Sequence, residues 1–152
     1  MPKYNFQYCQ KIVVFSRDEL SVLLGKRKGE ADYDGTYSFI GGKMETTDHS
    51  IVAGLKREKD EEVGSDFKIK VFPDFTTNIL FTKKDGRAMI LPHVYAIHLE
   101  GEIQLSEEYS EYRWVRLDEL AKFEPKINTI PEVLDKFAVL KKILAKTRFE
   151  II

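Results

Sequence analysis

The sequence is poor in several features that identify particular classes of protein. It holds one cysteine, Cys9, in 152 residues, which excludes an internal disulfide and a multi-cysteine zinc site. No apolar run approaches the roughly 20 residues of a membrane-spanning helix. Residues 1–10 alternate polar and aromatic side chains without an apolar core, so no signal peptide is predicted. The default expectation is a cytoplasmic protein that does not interact with a membrane.

The chain also has no excess of charge of one sign. It has 24 Lys and Arg residues against 25 Asp and Glu residues. Nucleic-acid polymers and anionic membranes are bound through clustered basic residues, so neither partner is expected. The hydrophobic (43%) and charged (32%) fractions are those of an ordinary soluble domain. Since no repeat or Pro/Gly/Ser-rich linker divides the chain, residues 1–152 are predicted to form a single domain.

Strands and helices are predicted in a mixed order. Alternating or β-branched segments predict strands over residues 11–15, 21–27, 36–40, 67–72, 76–82, 88–98 and 112–115. Apolar residues at helical spacing predict two helices, over residues 49–63 and 132–146. The first helix has N-cap oxygens at residues 46–48 and ends at Gly64. Because this order lacks a strict β-α-β rhythm, we expect a mixed sheet with helices on both faces.

The first predicted helix carries an unusual group of carboxylates. On a helical wheel, Glu58 and Glu62 lie over the apolar stripe and Glu61 lies to one side of it. Glu58 and Glu62 form a like-charge i,i+4 pair, and partial burial adds a desolvation cost. A divalent cation between the carboxylates would remove both costs, and Mg²⁺ is typically held by carboxylates together with substrate phosphates. The alternative is a solvated acidic face paired with Lys56 and Lys59.

Two glycines, Gly41 and Gly42, precede this helix. Without a Cβ atom, their backbone can come close to a metal ion or a phosphate. The segment that begins with them reads GGKMETTDHSIVAGLKREKDEEVG. It resembles the signature of the Nudix hydrolase family, G-x5-E-x7-R-E-U-x-E-E-x-G-U, in which U is aliphatic. The core R-E-x-x-E-E-x-G matches without a gap, but one residue is inserted before it. Either Asp48 or His49 therefore takes the position of the first glutamate.

The resemblance extends over nearly the whole chain and implies both a fold and an activity. The implied fold is of the α+β type, an α/β/α sandwich around a central mixed β-sheet. The implied activity is that of a MutT-like pyrophosphohydrolase, which uses Mg²⁺ or Mn²⁺ to hydrolyse the diphosphate linkage of a nucleoside diphosphate derivative. A nucleoside triphosphate or a nucleotide sugar is the favoured small-molecule substrate, and dinucleoside polyphosphates and ADP-ribose are the alternatives. Many members of the family dimerise, so a homodimer is an open alternative to a monomer.

The resemblance assigns metal binding to three carboxylates and one backbone carbonyl: Glu58, Glu61, Glu62 and Gly41. Arg57 would brace a carboxylate through a bidentate pair. The general base would be a helix glutamate such as Glu61 or the loop residue Glu108, and Arg27 and Gly42 would contact the substrate. For Glu108 and Arg27, a solvated side chain is an equal alternative. The alternative function is a nucleotide-binding module that has lost catalysis, but that function predicts broken metal ligands, and all three carboxylates are present.

Overall fold

The computed structural model of the protein describes residues 5–152; residues 1–4, which begin the segment assessed for a signal peptide, lie outside them. The described elements are β1 (Gln7–Phe15), β2 (Ser21–Arg27), β3 (Tyr37–Ser38), β4 (Ile40–Lys43), α1 (Ile51–Val63), β5 (Lys68–Thr82), β6 (Ala88–Glu100), β7 (Tyr109–Arg116), a 3₁₀ turn (Leu120–Lys122), α2 (Ile130–Leu144) and β8 (Glu150–Ile151). Among the described residues, no helix has the length and apolar composition needed to cross a membrane.

The strands form one mixed sheet with β1 at its centre. The main path runs β3-β2-β1-β6-β5-β8, while β4 pairs with β1 and β7 pairs with β2. The β1 and β6 strands run parallel, and the remaining strand pairs are antiparallel. The expectation of a mixed sheet is therefore confirmed.

Successive residues of β1 point to opposite faces of the sheet, and each face is covered by one helix. On one face, Ile12 and Val14 belong to an apolar cluster that includes Leu55 of α1. On the other face, Val13 belongs to a second cluster that includes Phe137 of α2. The result is the three-layer α/β/α arrangement that the sequence predicts.

The structure joins two of the predicted strands into one. Residues 67–72 and 76–82 were predicted as separate strands, but β5 continues through both. Its pairing with β6 changes register between Phe72 and Thr76, where Pro73 lacks the N–H that a regular ladder requires. A β-bulge therefore lies where the sequence predicted a gap between two strands.

Several element ends also differ from the prediction. Helix α1 begins at Ile51, because the Ser50 side chain accepts the Ala53 N–H at 3.0 Å and caps the helix in place of residues 46–48. The strand predicted over residues 112–115 starts earlier, at Tyr109. The short strand β8 was not predicted, because two residues are too few to show a periodic pattern.

Candidate active site

Helix α1 supplies the acidic side chains of the site. Glu58 and Glu62, one turn apart, lie on the face that packs against the sheet, with only 7% and 2% of their surface exposed. Burial raises the pKa of both carboxyls, that of Glu62 to about 8. The Glu61 side chain is 56% exposed. A solvated acidic face is therefore excluded for Glu58 and Glu62, as the helical wheel predicts.

Gly41 and Gly42, in β4, receive these buried carboxylates. The Gly41 N–H donates to Oε2 of Glu62 at 2.6 Å. A Cβ atom on Gly42 would lie 2.1 Å from Oε2 of Glu58, so this carboxylate fills space that only glycine leaves free. Gly41 has a φ of +128°, and a Cβ there would lie 2.0 Å from the Gln10 carbonyl oxygen. The double glycine thus brings backbone against two buried acids.

Two neighbouring residues at the start of β7 approach the same acids. The Tyr109 hydroxyl donates to Oε2 of Glu62 at 3.2 Å. The preceding residue, Glu108, lies close enough that its charge helps to raise the pKa of Glu62, after burial itself. The fold therefore places the predicted loop glutamate beside the acids of α1.

Arg57 holds the carboxylates around it through all three of its nitrogens. Its Nε and Nη2 atoms donate to the two oxygens of Asp48, at 2.8 Å each. Its Nη1 atom donates to Glu58 at 2.9 Å and to Glu61 at 3.2 Å. The hydrogen bonds from Arg57 are the main reason that the pKa of Asp48 falls to about 2. Since His49 is exposed, Asp48 is the residue of the two alternatives that forms a bidentate pair with Arg57.

The donor groups of the site match the chemistry of a divalent cation. Among residues 5–152, no group of three or more His, Cys, Asp or Glu side chains is already arranged as a metal site. Instead, Glu58 and Glu61 accept hydrogen bonds from Arg57. However, the buried Glu58 carboxylate lies against Gly42, and the Gly41 carbonyl already accepts a cationic donor, the Lys11 ammonium, at 3.4 Å. Buried carboxylate and carbonyl oxygens are the ligands that Mg²⁺ prefers.

A cleft of about 690 Å³ lies over these groups. Its lining includes the predicted site residues Arg27, Gly41, Gly42, Glu58, Glu61 and Glu108. Glu62 and Arg57 lie outside the lining. Glu62 is hydrogen-bonded to the lining residue Gly41, and Arg57 is hydrogen-bonded to the lining residue Glu58. The other side of the cleft is an apolar wall, formed by β5 and β6 residues that are paired across the two strands: Ile79, Phe81, Met89 and Leu91.

Arg27 lies in this cleft with part of its guanidinium unpaired. Its Nη2 atom pairs with Glu30. Its Nε atom is buried and has no hydrogen-bond partner among the described residues. A guanidinium group at a cleft wall can donate to an oxygen of a bound anion, such as a phosphate. The place of the Arg27 side chain in the cleft lining, rather than its buried Nε atom, is what makes a phosphate contact feasible.

Two residues near the acids were not predicted from the sequence. Lys11 lies in the cleft lining, on the face of β1 otherwise occupied by Cys9 and Val13. A lysine that interrupts an apolar alternation was a usable signal for it. Tyr109 had no such signal, because its contact with Glu62 joins two distant parts of the chain.

Comparison with known families matches the NUDIX domain model to residues 9–137 of this chain. Comparison with curated proteins gives no match.

Several solved structures resemble the fold. The MutT protein of Methanosarcina mazei Go1 is 19% identical with a TM-score of 0.74, and the likeness covers 93% of this chain and 99% of that one. A C. elegans Ap4A hydrolase is 16% identical with a TM-score of 0.72, over 90% of this chain and 98% of that one. The NUDIX domain of Shewanella oneidensis NrtR, complexed with ADP ribose, is 17% identical with a TM-score of 0.69, over 91% and 90%. Because the NUDIX domain model matches most of its length, the protein belongs to the Nudix family and is a Nudix pyrophosphohydrolase.

Proposed function

We propose that the protein uses a divalent metal ion, Mg²⁺ or Mn²⁺, to hydrolyse the diphosphate linkage of a nucleoside diphosphate derivative. Activity on such derivatives, with a divalent cation, is general in the family. The observation that carries the proposal here is the contact of the buried Glu58 carboxylate with Gly42 at one end of a cleft whose other wall is apolar. One end suits a charged diphosphate and the other suits a nucleoside.

The roles of the individual residues follow from their positions. Oxygens of Glu58, Glu61, Glu62 and the Gly41 carbonyl would hold the metal ion, which would neutralise the diphosphate and lower the pKa of a bound water. Arg57 would orient carboxylates through the hydrogen bonds described above.

A proton acceptor and a phosphate contact complete the proposed machinery. Glu108 lies in the cleft lining beside Glu62, and we propose that it accepts the proton of the attacking water; Glu61 is the alternative. We propose that the guanidinium group of Arg27 and the backbone of Gly42, which both line the cleft, contact the substrate phosphates.

The proposed substrates are a nucleoside triphosphate or a nucleotide sugar. The apolar wall offers a surface on which a base can pack, which favours substrates with a nucleoside at one end. Dinucleoside polyphosphates and ADP-ribose belong in the same test, since structurally similar proteins are an Ap4A hydrolase and a domain complexed with ADP ribose.

We also propose that the Nudix domain extends over the whole chain. In support, β8 pairs with β5 at residues beyond the matched segment, so the chain's last residues belong to the same sheet. The homodimer and the cytoplasmic location stay predictions.

The test is the release of phosphate or pyrophosphate from a nucleotide panel, with Mg²⁺, with Mn²⁺ and with EDTA. The panel holds canonical and oxidised nucleoside triphosphates, diadenosine polyphosphates, ADP-ribose, and GDP- and UDP-sugars. We expect turnover of at least one member, abolished by EDTA. Tight nucleotide binding with no turnover of any member would contradict the proposal and support a nucleotide-binding module.

A further inference from the structure

Lys11 is a buried lysine at the junction between the two ends of the cleft. Its residue surface is only 8% exposed, and it lies in the cleft lining. Among residues 5–152, its ammonium forms no salt bridge and has one hydrogen-bond acceptor, the Gly41 carbonyl at 3.4 Å. An ammonium has three donor hydrogens, and burying it without partners is costly. Two donors are therefore left for a ligand in the cleft.

The groups that face Lys11 leave this donor capacity free. On β6, His93 is its register partner, and burial lowers the pKa of His93 to about 4, so the imidazole is neutral. On α1, the charge of Lys11 lowers the pKa of Glu62, but the two groups form no salt bridge within 4.0 Å. On β1, Cys9 is a buried neutral thiol whose pKa burial raises. On β4, the Gly41 carbonyl accepts the one hydrogen bond already described.

The sheet register places Lys11 next to the apolar wall. Lys11 pairs with His93 on β6, and Leu91 lies two residues away on the same face of that strand. Leu91 in turn pairs with Ile79 on β5. Lys11 therefore shares a sheet face with the apolar wall, while its ammonium touches Gly41 at the acidic end. A ligand that spans both ends of the cleft must pass this ammonium.

We propose that Lys11 is a catalytic residue that binds a non-bridging oxygen of the phosphate attached to the nucleoside. This inference rests on the proposed function, because it takes the diphosphate at the acidic end and the nucleoside on the apolar wall. The ammonium donates to the phosphate oxygen and neutralises part of its charge. With a metal ion held by the Gly41 carbonyl, the Lys11 ammonium would be free to donate to the phosphate instead. Lys11 thereby orients the bound substrate, with its nucleoside toward the apolar wall.

The test separates nucleotide binding from metal binding in Lys11→Met, which keeps the length of the side chain and removes its charge. The probes are AMP, GMP, CMP and UMP in the presence of Ca²⁺, measured by calorimetry, and Mn²⁺ alone, measured by electron paramagnetic resonance. We expect Lys11→Met to weaken the best-bound monophosphate by roughly tenfold or more, as the loss of a hydrogen bond to a charged group does. We expect Mn²⁺ binding to stay equal or to tighten.

Two further variants complete the experiment. Lys11→Arg restores a cation and should recover most of the monophosphate affinity. Lys142→Met removes the same charge from the exposed surface of α2 and should change that affinity by no more than about twofold. Circular dichroism melting checks that each variant is folded.

The outcomes distinguish failure of this inference from failure of the proposed function. If the wild type binds Mn²⁺ and a monophosphate, and Lys11→Met binds both as the wild type does, the role of Lys11 is overturned and the proposed function stands. If Lys11→Met loses Mn²⁺ and monophosphate equally, or Lys11→Arg recovers nothing, Lys11 only balances the charge of Glu62. If the wild type binds neither probe, the proposed function fails and the role of Lys11 fails with it.

Discussion

Tyr109 and Glu62 are joined by a hydrogen bond of 3.2 Å, from the tyrosine hydroxyl to the carboxylate oxygen Oε2. The same oxygen accepts the Gly41 N–H at 2.6 Å. The tyrosine ring lies over Gly25, where a Cβ atom would come within 2.6 Å of the ring carbon Cδ1. Strands β2, β4 and β7 thus cooperate to hold one carboxylate of α1 in a fixed orientation.

Removing the Tyr109 hydroxyl should therefore weaken metal binding. In Tyr109→Phe the ring still packs over Gly25, but Glu62 loses one of its two donors. Partners of metal ligands commonly contribute a factor of about ten or more to metal affinity or activity, and we expect a loss of that size in Mn²⁺ affinity. Gly25→Ala should act in the same direction, because its methyl group displaces the ring. Wild-type Mn²⁺ affinity in both variants would contradict this role for the hydrogen bond.

Replacing Glu62 with glutamine should separate folding from catalysis. Glutamine has nearly the same shape, and its carbonyl oxygen can still accept from Gly41 and Tyr109. We expect a folded Glu62→Gln protein by circular dichroism, with most of its metal-dependent turnover lost. The control is Glu107→Gln, which removes an exposed acid of the same loop as Glu108. Full activity in Glu62→Gln would show that Glu62 is not a metal ligand.

The stability of the metal-free protein should fall as the pH rises from about 4.5 to about 8. Burial raises the pKa of Glu62 from its ordinary 4.5 to about 8, so in this window the folded state keeps a proton that the unfolded chain has released. Unfolding is therefore favoured as the pH increases, by an amount on the order of 5 kcal/mol for the full shift. Melting in EDTA at pH 5.5 and pH 8 measures the effect.

The glutamine variant provides the control for this pH effect. Glu62→Gln has no proton to lose at this position, so its melting temperature should vary less between the two pH values. Addition of Mg²⁺ should stabilise the wild type more at pH 8 than at pH 5.5, because the cation binds the carboxylate form. Activity should rise with pH for the same reason. A rate that is maximal near pH 5 would be inconsistent with this explanation.

Asp48 and His49 offer a matched pair of neighbouring substitutions. Asp48→Ala removes the two hydrogen bonds that Asp48 accepts from the Arg57 guanidinium, so the arginine that contacts Glu58 and Glu61 is held less firmly. We expect turnover to fall about tenfold and the melting temperature to decrease. His49→Ala changes an exposed side chain and should leave both values close to those of the wild type. Equal effects of the two substitutions would show that the bidentate pair contributes neither to turnover nor to the melting temperature.

The sequence predicted the fold class and the burial of Glu58 and Glu62, because helical periodicity records which side chains face the sheet. It did not predict the environment of Lys59, a charged residue that is completely buried. Its ammonium forms a salt bridge with Asp60 at 2.5 Å and donates a hydrogen bond to the Gly64 carbonyl at 3.3 Å. These two contacts stabilise the end of α1. Periodicity reports the direction of a side chain but not whether a partner exists within reach.

Contacts between distant strands were the other feature that the sequence could not provide. The start of α1 was misplaced by two residues, because several residues before it carry suitable capping oxygens and only the structure shows that Ser50 is used. In the same way, Tyr109 and Lys11 reach the acids through the pairing of strands. Their roles depend on sheet register, which single-chain patterns do not specify.

The division of the cleft between two sets of elements has an evolutionary consequence. The acids and the double glycine belong to α1 and β4, whereas the apolar wall belongs to the hairpin of β5 and β6. Substitutions in the hairpin can therefore reshape the surface proposed to meet the base without touching a carboxylate. Such an arrangement allows descendants of one ancestor to acquire new nucleotide preferences by drift in a single hairpin, while the bond-breaking end is inherited unchanged.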